Sequence, residues 1–488
     1  MTDTVSTRLA HRMVGMRDSG RFSAEQLQRF AQWIENAPEE ELYRVNAIQF
    51  AQQQKLNERD AIDLFVHSAR AGVFDFAWGV ICPSCAGLIG SRGGLKGIEA
   101  GRHCRMCEVD VLGCMDDAIE VAFTVNSAVR RLRFHGDWLR EGRSADQLAD
   151  DVRRVYFSSL VDATGFVWGM FSRAMKDTAV ASRDVPAVRK FNFEGGGSRV
   201  LVPAVHAVGG LVADPNGASE ADLEIHDGYL VPGELKLRPG PVTLRVHNRT
   251  DAPEQLFGMF INRQDVPGGD EASAADEEED DKPLPPFLSA KRLLTTQSFR
   301  ELFRAESLAG QSTLELRSLS VLFTDLKAST QLYERVGDLR ALELVREHFR
   351  LLGDVIDRCE GAVVKTIGDA VMATFSDPRQ AAKAGVEMHR VMRQLAGPEE
   401  LALKVGVHTG PVVVIDSNER LDYFGQTVNI AARVQALAEG RELVVTDALL
   451  GEPGVRDVLN AQKVQFQAED AHLKGVSSAV KVHRAVVA

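Results

Sequence analysis

The sequence lacks any apolar run long enough to cross a bilayer. Its longest, around Val200 to Val212, is interrupted by Pro203, His206 and two adjacent glycines, whereas a spanning helix needs about 20 apolar residues in succession. No N-terminal stretch joins a basic region to an apolar core in the manner of a secretory leader, so a cytoplasmic location without a membrane span is expected. Positive charge is also short: 57 Lys and Arg stand against 69 Asp and Glu, a net −12. With no basic stripe to meet phosphates, nucleic acid is not an expected partner. Cysteine is sparse, six in 488 residues, too few for a disulfide-built scaffold.

What is present is ordinary in bulk: 44% hydrophobic and 26% charged residues suit a globular protein. The length exceeds one core, and at roughly 100 to 200 residues per domain about three domains are expected. Much of the acidic excess is local. The stretch "DEASAADEEEDD" at 270–281 holds eight acids between Gly268-Gly269 and Pro283, Pro285 and Pro286, the composition of a solvated linker.

Beyond a helix-like segment that includes Leu293, Leu294, Phe299, Leu302 and Phe303, "SVLFTDLKAST" (320–330) reads as a buried strand that exits on Asp325 into a helix. A long helix follows, with Leu342, Val345, Phe349, Leu352 and Ile356 as its expected core stripe. "GAVVKTIGDAVMATF" reads as two strands around Gly368-Asp369, a two-residue hairpin. A helix over 378–395 then leads into the strand "LALKVGVHTG". The order βαββαβ is that of a ferredoxin-like α+β unit, in which strand three lies between strands one and two. Asp325 and Asp369 then become neighbours. Adjacent carboxylates repel unless a cation lies between them, and oxygen ligands at strand ends suit Mg²⁺ shared with substrate phosphates.

From about Leu319 to Val486 the sequence resembles the catalytic domain of class III nucleotidyl cyclases, which turn a nucleoside triphosphate into a 3′,5′-cyclic monophosphate and pyrophosphate. The motifs "FTDLKAST", "VVKTIGDAVMATF", "VGVHTGPV" and "LDYFGQTVNIAARV" stand in the family's order. The resemblance implies that Asp325 and Asp369 hold two Mg²⁺ or Mn²⁺ ions, that Lys365 and Asp422 select the base, that Asn429 and Arg433 serve ribose and triphosphate in catalysis, and that Lys474 reaches the phosphates. It also implies a homodimer with active sites composed from both chains. Ala328 departs from the family's glycine, "VVIDSNER" is shorter than usual, and "YFG" replaces the commoner pair before the glycine.

Chemistry agrees with these roles. Asn429 and Arg433 are four apart on one helix and so share a face, and the planar guanidinium suits phosphate. Adenine presents an acceptor at N1 and donors at N6, which match Lys365 as donor and Asp422 as acceptor; guanine inverts the pattern. ATP is therefore the expected substrate, with GTP the alternative. A catalytically silent nucleotide sensor is the rival of another class, opposed by the presence of both acids, Lys365, Asn429 and Arg433.

In the N-terminal half, "CPSC" (82–85) and "CRMC" (104–107) are separated by 18 residues. Two CxxC knuckles make the tetrahedral thiolate set that zinc prefers, so Cys82, Cys85, Cys104 and Cys107 are expected to hold one structural Zn²⁺. Cys114 and Cys359 are expected to be buried thiols. Ahead of them, residues 41–76 suggest short helices followed by a strand, and the arrangement resembles an uncharacterised domain found ahead of cyclase domains in some bacteria. "ELKLRPGPVTLRVHNRT" alternates at Leu235, Leu237, Val242, Leu244 and Val246, the pattern of a small sandwich; it faintly resembles cupredoxin-like domains, but without a cysteine it holds no blue-copper site. His206, His226 and His247 there read as satisfied or exposed. The expected organisation is a helical and zinc-ribbon-like regulatory region (1–195), a β-rich sandwich-like region (196–264), the acidic linker (265–286), a connecting helix (287–315) and the ferredoxin-like catalytic domain (316–488).

Overall fold

Helix starts are written into the N-terminal sequence. Ser23 accepts from the Gln26 amide, and the Gln26 side chain accepts from the Ser23 amide, a reciprocal cap on helix Ala24–Asn36. The Asn46 and Asn57 side chains accept first-turn amides of Ala47–Gln54 and Glu58–Arg70. The structure, a computed structural model, describes every residue except 1–3, 83–85, 93–101, 105–108, 112–117, 141–142, 158, 160–174, 196–197, 262–285, 304–313, 328, 396–401, 418–419 and 488. Ala328 and the acidic stretch 270–281 thus lie outside the described residues. Contacts divide the chain into two units, Met1–Leu112 with Ala118–Leu288, and Gly113–Asp117 with Ser289–Ala488.

In the first unit, Phe30, Phe50, Phe65 and Phe74 meet edge to face or stacked, with Phe65 and Phe50 centroids 5.0 Å apart. These helices lead to strand Phe74–Ile81, which pairs antiparallel with Leu88–Arg92 and Ile119–Val125. Later in the unit two sheets share one apolar core that includes Phe193, Leu211, Leu223, Leu244 and Phe257. The alternation at Leu235, Leu237, Val242, Leu244 and Val246 faces that core, all five being buried. Strands Met175–Ser182 and Ala187–Phe193 already belong to these sheets, so the β-rich region starts ahead of residue 196. Each of its histidines makes a hydrogen-bond contact: His206 with the Leu88 carbonyl, His226 with Glu224, His247 with Asp222.

The second unit is built on an eight-stranded sheet. Its strands run in the order Gly361–Ile367, Ala370–Phe375, Leu314–Leu326, Leu403–Ser417, Glu442–Thr446, Val480–Val486, Gln467–Ala471, with Arg420–Phe424 paired to Leu403–Ser417 off that path. The third strand of the unit, Ala370–Phe375, lies between the first and second and is antiparallel to both. Helices Asp338–Arg358 and Pro378–Leu395 contribute to the main core with Leu352, Ile356, Ala381 and Met388.

Two expectations need correction. One connecting helix was expected over 287–315; the described part holds two short ones, Ala290–Leu294 and Gln297–Leu302. The break is at Thr295 and Thr296, whose hydroxyls donate to the Lys291 and Arg292 carbonyls, side-chain bonds that compete with continued helix. The core stripe of Asp338–Arg358 keeps Leu352 and Ile356, with Phe349 packed against the core, but is displaced at its start. Ala341, Leu344, His348, Leu352, Val355 and Ile356 are buried while Leu342 is 48% exposed, because Ala and His take positions that a search for large apolar residues passes over.

Candidate active site

Strand pairing brings the two predicted metal acids together. Phe323 is opposite Met372 in the register of Leu314–Leu326 with Ala370–Phe375, and Ile367 is opposite Ala370, which leaves Gly368-Asp369 as the two-residue turn beside the end of the first strand. Gly368, at φ +62°, supplies the left-handed position the turn requires. Thr324 Oγ1 accepts the Val371 amide at 3.0 Å and ties the two strands at that end. Burial raises the Asp325 carboxyl above the usual carboxylate range and the like charge of Asp369 adds to it, while Lys404, 3.9 Å from Asp325 Oδ2, opposes them. Asp369 Oδ2 is buried with no hydrogen-bond partner.

Sequence reasoning missed the support under this turn. His348, fully buried, places Nε2 at 3.2 Å from the Asp369 carbonyl oxygen and Nδ1 at 3.4 Å from Met392 Sδ. Burial pushes its pKa down, so the ring is neutral, and a carbonyl acceptor at Nε2 selects the tautomer that donates there. The only sequence signal is a histidine four residues before Leu352 on a helix whose other core positions are apolar.

The two residues predicted to select the base also meet. Lys365 Nζ donates to Asp422 Oδ2 at 2.5 Å, and the Tyr423 amide donates to Asp422 Oδ1 at 2.9 Å. Asp422 stands on Arg420–Phe424, opposite Ile415. Asn429 and Arg433 lie on Gln426–Leu437, exposed and without a side-chain partner among the described residues. That helix lies close over the sheet because Gly406 has no side chain: a Cβ there would come within 2.2 Å of the Gln435 amide nitrogen. Lys474 is exposed in a turn, likewise without a partner among the described residues.

The cysteines are less complete. Cys82 and Cys104 are buried, Cys85 and Cys107 lie outside the described residues, and among the described residues no group of three or more His, Cys, Asp or Glu gathers to hold a metal. Cys359 is buried, as expected, and burial pushes its thiol up to about 11. Cys114 lies outside the described residues. No described helix is long and apolar enough to cross a membrane.

Comparison with known proteins divides the chain between residues 301 and 313, somewhat after the break between the two units. Residues 313–483 match the family model described as adenylate and guanylate cyclase catalytic domain. An adenylate cyclase of Anabaena cylindrica is 22% identical over 185 residues, covering 34% of this chain and 36% of that protein. Adenylate cyclase 2 of Rhizobium meliloti is 30% identical over 147 residues, 26% of this chain and 40% of the relative. The chain therefore spans well under half the length of these relatives. Among solved structures, the adenylyl cyclase CyaB from P. aeruginosa aligns with 36% of this chain and 97% of its own at 21% identity, with a TM-score of 0.32. Residues 13–301 match the model of a family of unknown function, DUF5939, and since that match takes in more than half of the sequence, the chain belongs to the DUF5939 family, with a segment similar to cyclase catalytic domains after it.

Proposed function

We propose that the protein is a class III nucleotidyl cyclase that converts ATP to 3′,5′-cyclic AMP and pyrophosphate, acts as a homodimer, and is regulated by its N-terminal half. The observation that carries this reading is the carboxylate pair. Two acids meet at adjoining strand ends, one raised by burial and its neighbour's charge, the other with a buried oxygen that no protein donor satisfies. Such a pair is costly in an empty protein and fits hard cations that take oxygen ligands. Asp325 and Asp369 would hold Mg²⁺ or Mn²⁺, which when bound supplies Lewis-acid stabilisation of the attacking 3′-oxygen and of the departing pyrophosphate.

The remaining steps belong to the chain. Lys365 and Asp422 pair with each other; an adenine edge offers each a replacement partner of the right polarity, N1 for the ammonium and the exocyclic amine for the carboxylate. Lys365 is 41% exposed but the Asp422 side chain only 12%, so the pair parts only as the adenine amine replaces the ammonium on the buried carboxylate. Asn429 and Arg433, one turn apart, are free to grip ribose and phosphate, and Lys474 to add positive charge. Exposed apolar side chains flank both groups, Ile367 beside Asp369 and Phe424 beside Asp422 at 55% and 66% exposure, which supports a second copy closing over the site. The strand order described above supports reading this unit as a ferredoxin-like split βαβ.

Zinc remains part of this reading. The Cys82 amide donates to the Gly87 carbonyl and the Ala86 amide to the Cys82 carbonyl, both at 2.8 Å, and Cys104 ends a strand paired with Val109–Val111. The backbone bonds at Cys82 and the strand pairing that ends at Cys104 support two knuckles facing one ion. The deciding experiment is to incubate the purified full chain with ATP or GTP and Mg²⁺ or Mn²⁺ and identify the products. Cyclic AMP and pyrophosphate are expected; cyclic GMP as main product would transfer the reading to GTP, and no cyclic product with either would overturn it.

A further inference from the structure

The two short helices after the acidic stretch grip the strands that carry the base-selecting residues. Gln297 Oε1 accepts the Val363 amide at 2.8 Å. Strand Gly361–Ile367 is the edge of its sheet, and its register slips between Val363 and Lys365. A bulge re-aims the side chains that follow it and breaks the ladder locally; here the side chain of Gln297 binds the strand one step before the slip that orients Lys365.

The second grip is on Arg420–Phe424. Arg300 Nη2 donates to the Leu421 carbonyl, Arg300 Nη1 lies 3.4 Å from Tyr423 Oη, and the guanidinium carbon lies 5.5 Å from the Tyr423 ring centroid. Tyr423 Oη in turn donates to the Leu294 carbonyl at 3.3 Å. The residue between these two contacts is Asp422, with Oδ1 fixed by the Tyr423 amide. Leu421 and Tyr423 are buried at 5% and 4% exposure, and burial keeps the phenol protonated as a donor. A guanidinium forked onto a backbone carbonyl and a phenol is held more rigidly than an ammonium could be.

We propose that Arg300 and Gln297 are positioning residues for purine recognition, holding the strands that present Asp422 and Lys365. The proposal rests on the cyclase reading above and assigns these residues no contact with nucleotide. Because both grips come from one helix, Gln297–Leu302, a shift of that helix moves donor and acceptor of the base-reading pair together. A signal that displaces it would therefore be read as a change in nucleotide affinity.

The test uses the full chain as wild type, Arg300→Met, Arg300→Lys and Gln297→Met, with turnover and equilibrium binding of ATP and GTP measured for each. Arg300→Met is expected to raise KM for ATP about tenfold, to change kcat by less than about threefold, and to erode the ATP-to-GTP ratio of kcat/KM by about tenfold. Arg300→Lys should recover part of the loss, since one donor still reaches the Leu421 carbonyl. Gln297→Met, which leaves the Arg300 contacts intact, should shift KM in the same direction by about threefold, and it carries the test if Arg300→Met does not fold. Unchanged KM and purine ratio in folded variants would overturn the proposal while the cyclase reading stands. If the wild type binds nucleotide without turning it over, the cyclase reading falls and the ratio of binding constants decides this proposal. A wild type that does neither sinks both.

Discussion

Acidification should loosen the second unit through its buried histidines, His389 and His408 together with His348. His389 is 3% exposed with Nε2 lacking a partner, and His408 is 8% exposed with Nδ1 on Thr446 Oγ1 at 2.8 Å. Burial pushes each down to about 4. A histidine whose folded-state pKa lies below its unfolded value of about 6.5 contributes its full stability above pH 6.5 and loses it as the pH falls toward 4, because the unfolded chain binds the proton first. Between pH 7.5 and 5 the loss is about 2 kcal/mol for each group and about 4 for both, if they act independently. Tryptophan fluorescence would not see it, since Trp33, Trp78, Trp138 and Trp168 all lie ahead of residue 289. Hydrogen exchange of Leu403–Ser417 and Glu442–Thr446, corrected for the intrinsic rate, reports it directly. His389→Met should remove about 2 kcal/mol of the pH dependence. Equal protection at both pH values, or imidazole titration near 6.5 in the folded chain, would refute the reasoning.

Asp369→Asn should lower turnover by on the order of 100-fold or more with the fold retained by circular dichroism, since an amide removes the charge that holds the cations; full activity would end the metal assignment. His348→Ala should weaken Mg²⁺ dependence by roughly 10-fold, with His348→Gln recovering part because its amide can still donate to the Asp369 carbonyl; identical metal titrations would show the contact to be packing alone. If sites are shared between two chains, Asp325→Asn and Arg433→Ala, each nearly inactive alone, should recover about a quarter of wild-type activity when mixed: random assortment makes about half the dimers mixed, each with one intact site of two. No recovery after verified exchange would mean that each chain builds its site alone. Metal analysis of the native protein should find one zinc per chain, reduced in Cys82→Ser; none in the native protein would remove the zinc reading.

Part of this protein is decided locally and therefore legible in one dimension. Asp325 at the end of an apolar strand, Gly368-Asp369 as a two-residue turn, the caps at Ser23, Asn46 and Asn57, and the alternation from Leu235 to Val246 each rest on side-chain type and short-range spacing. The order of strands and helices even implied that Asp325 and Asp369 would meet, since a strand inserted between two parallel neighbours has few alternatives. Tertiary contacts decided the rest. Whether Thr295-Thr296 interrupts a helix depends on which carbonyls their hydroxyls reach. Whether His348 is core or surface depends on the rotation of a helix against Met392 and the Asp369 turn. That Arg300 and Gln297 hold strands more than 60 residues further along the chain has no local signature at all, because an arginine forked onto a backbone carbonyl looks, in sequence, like any solvated arginine on a short polar helix.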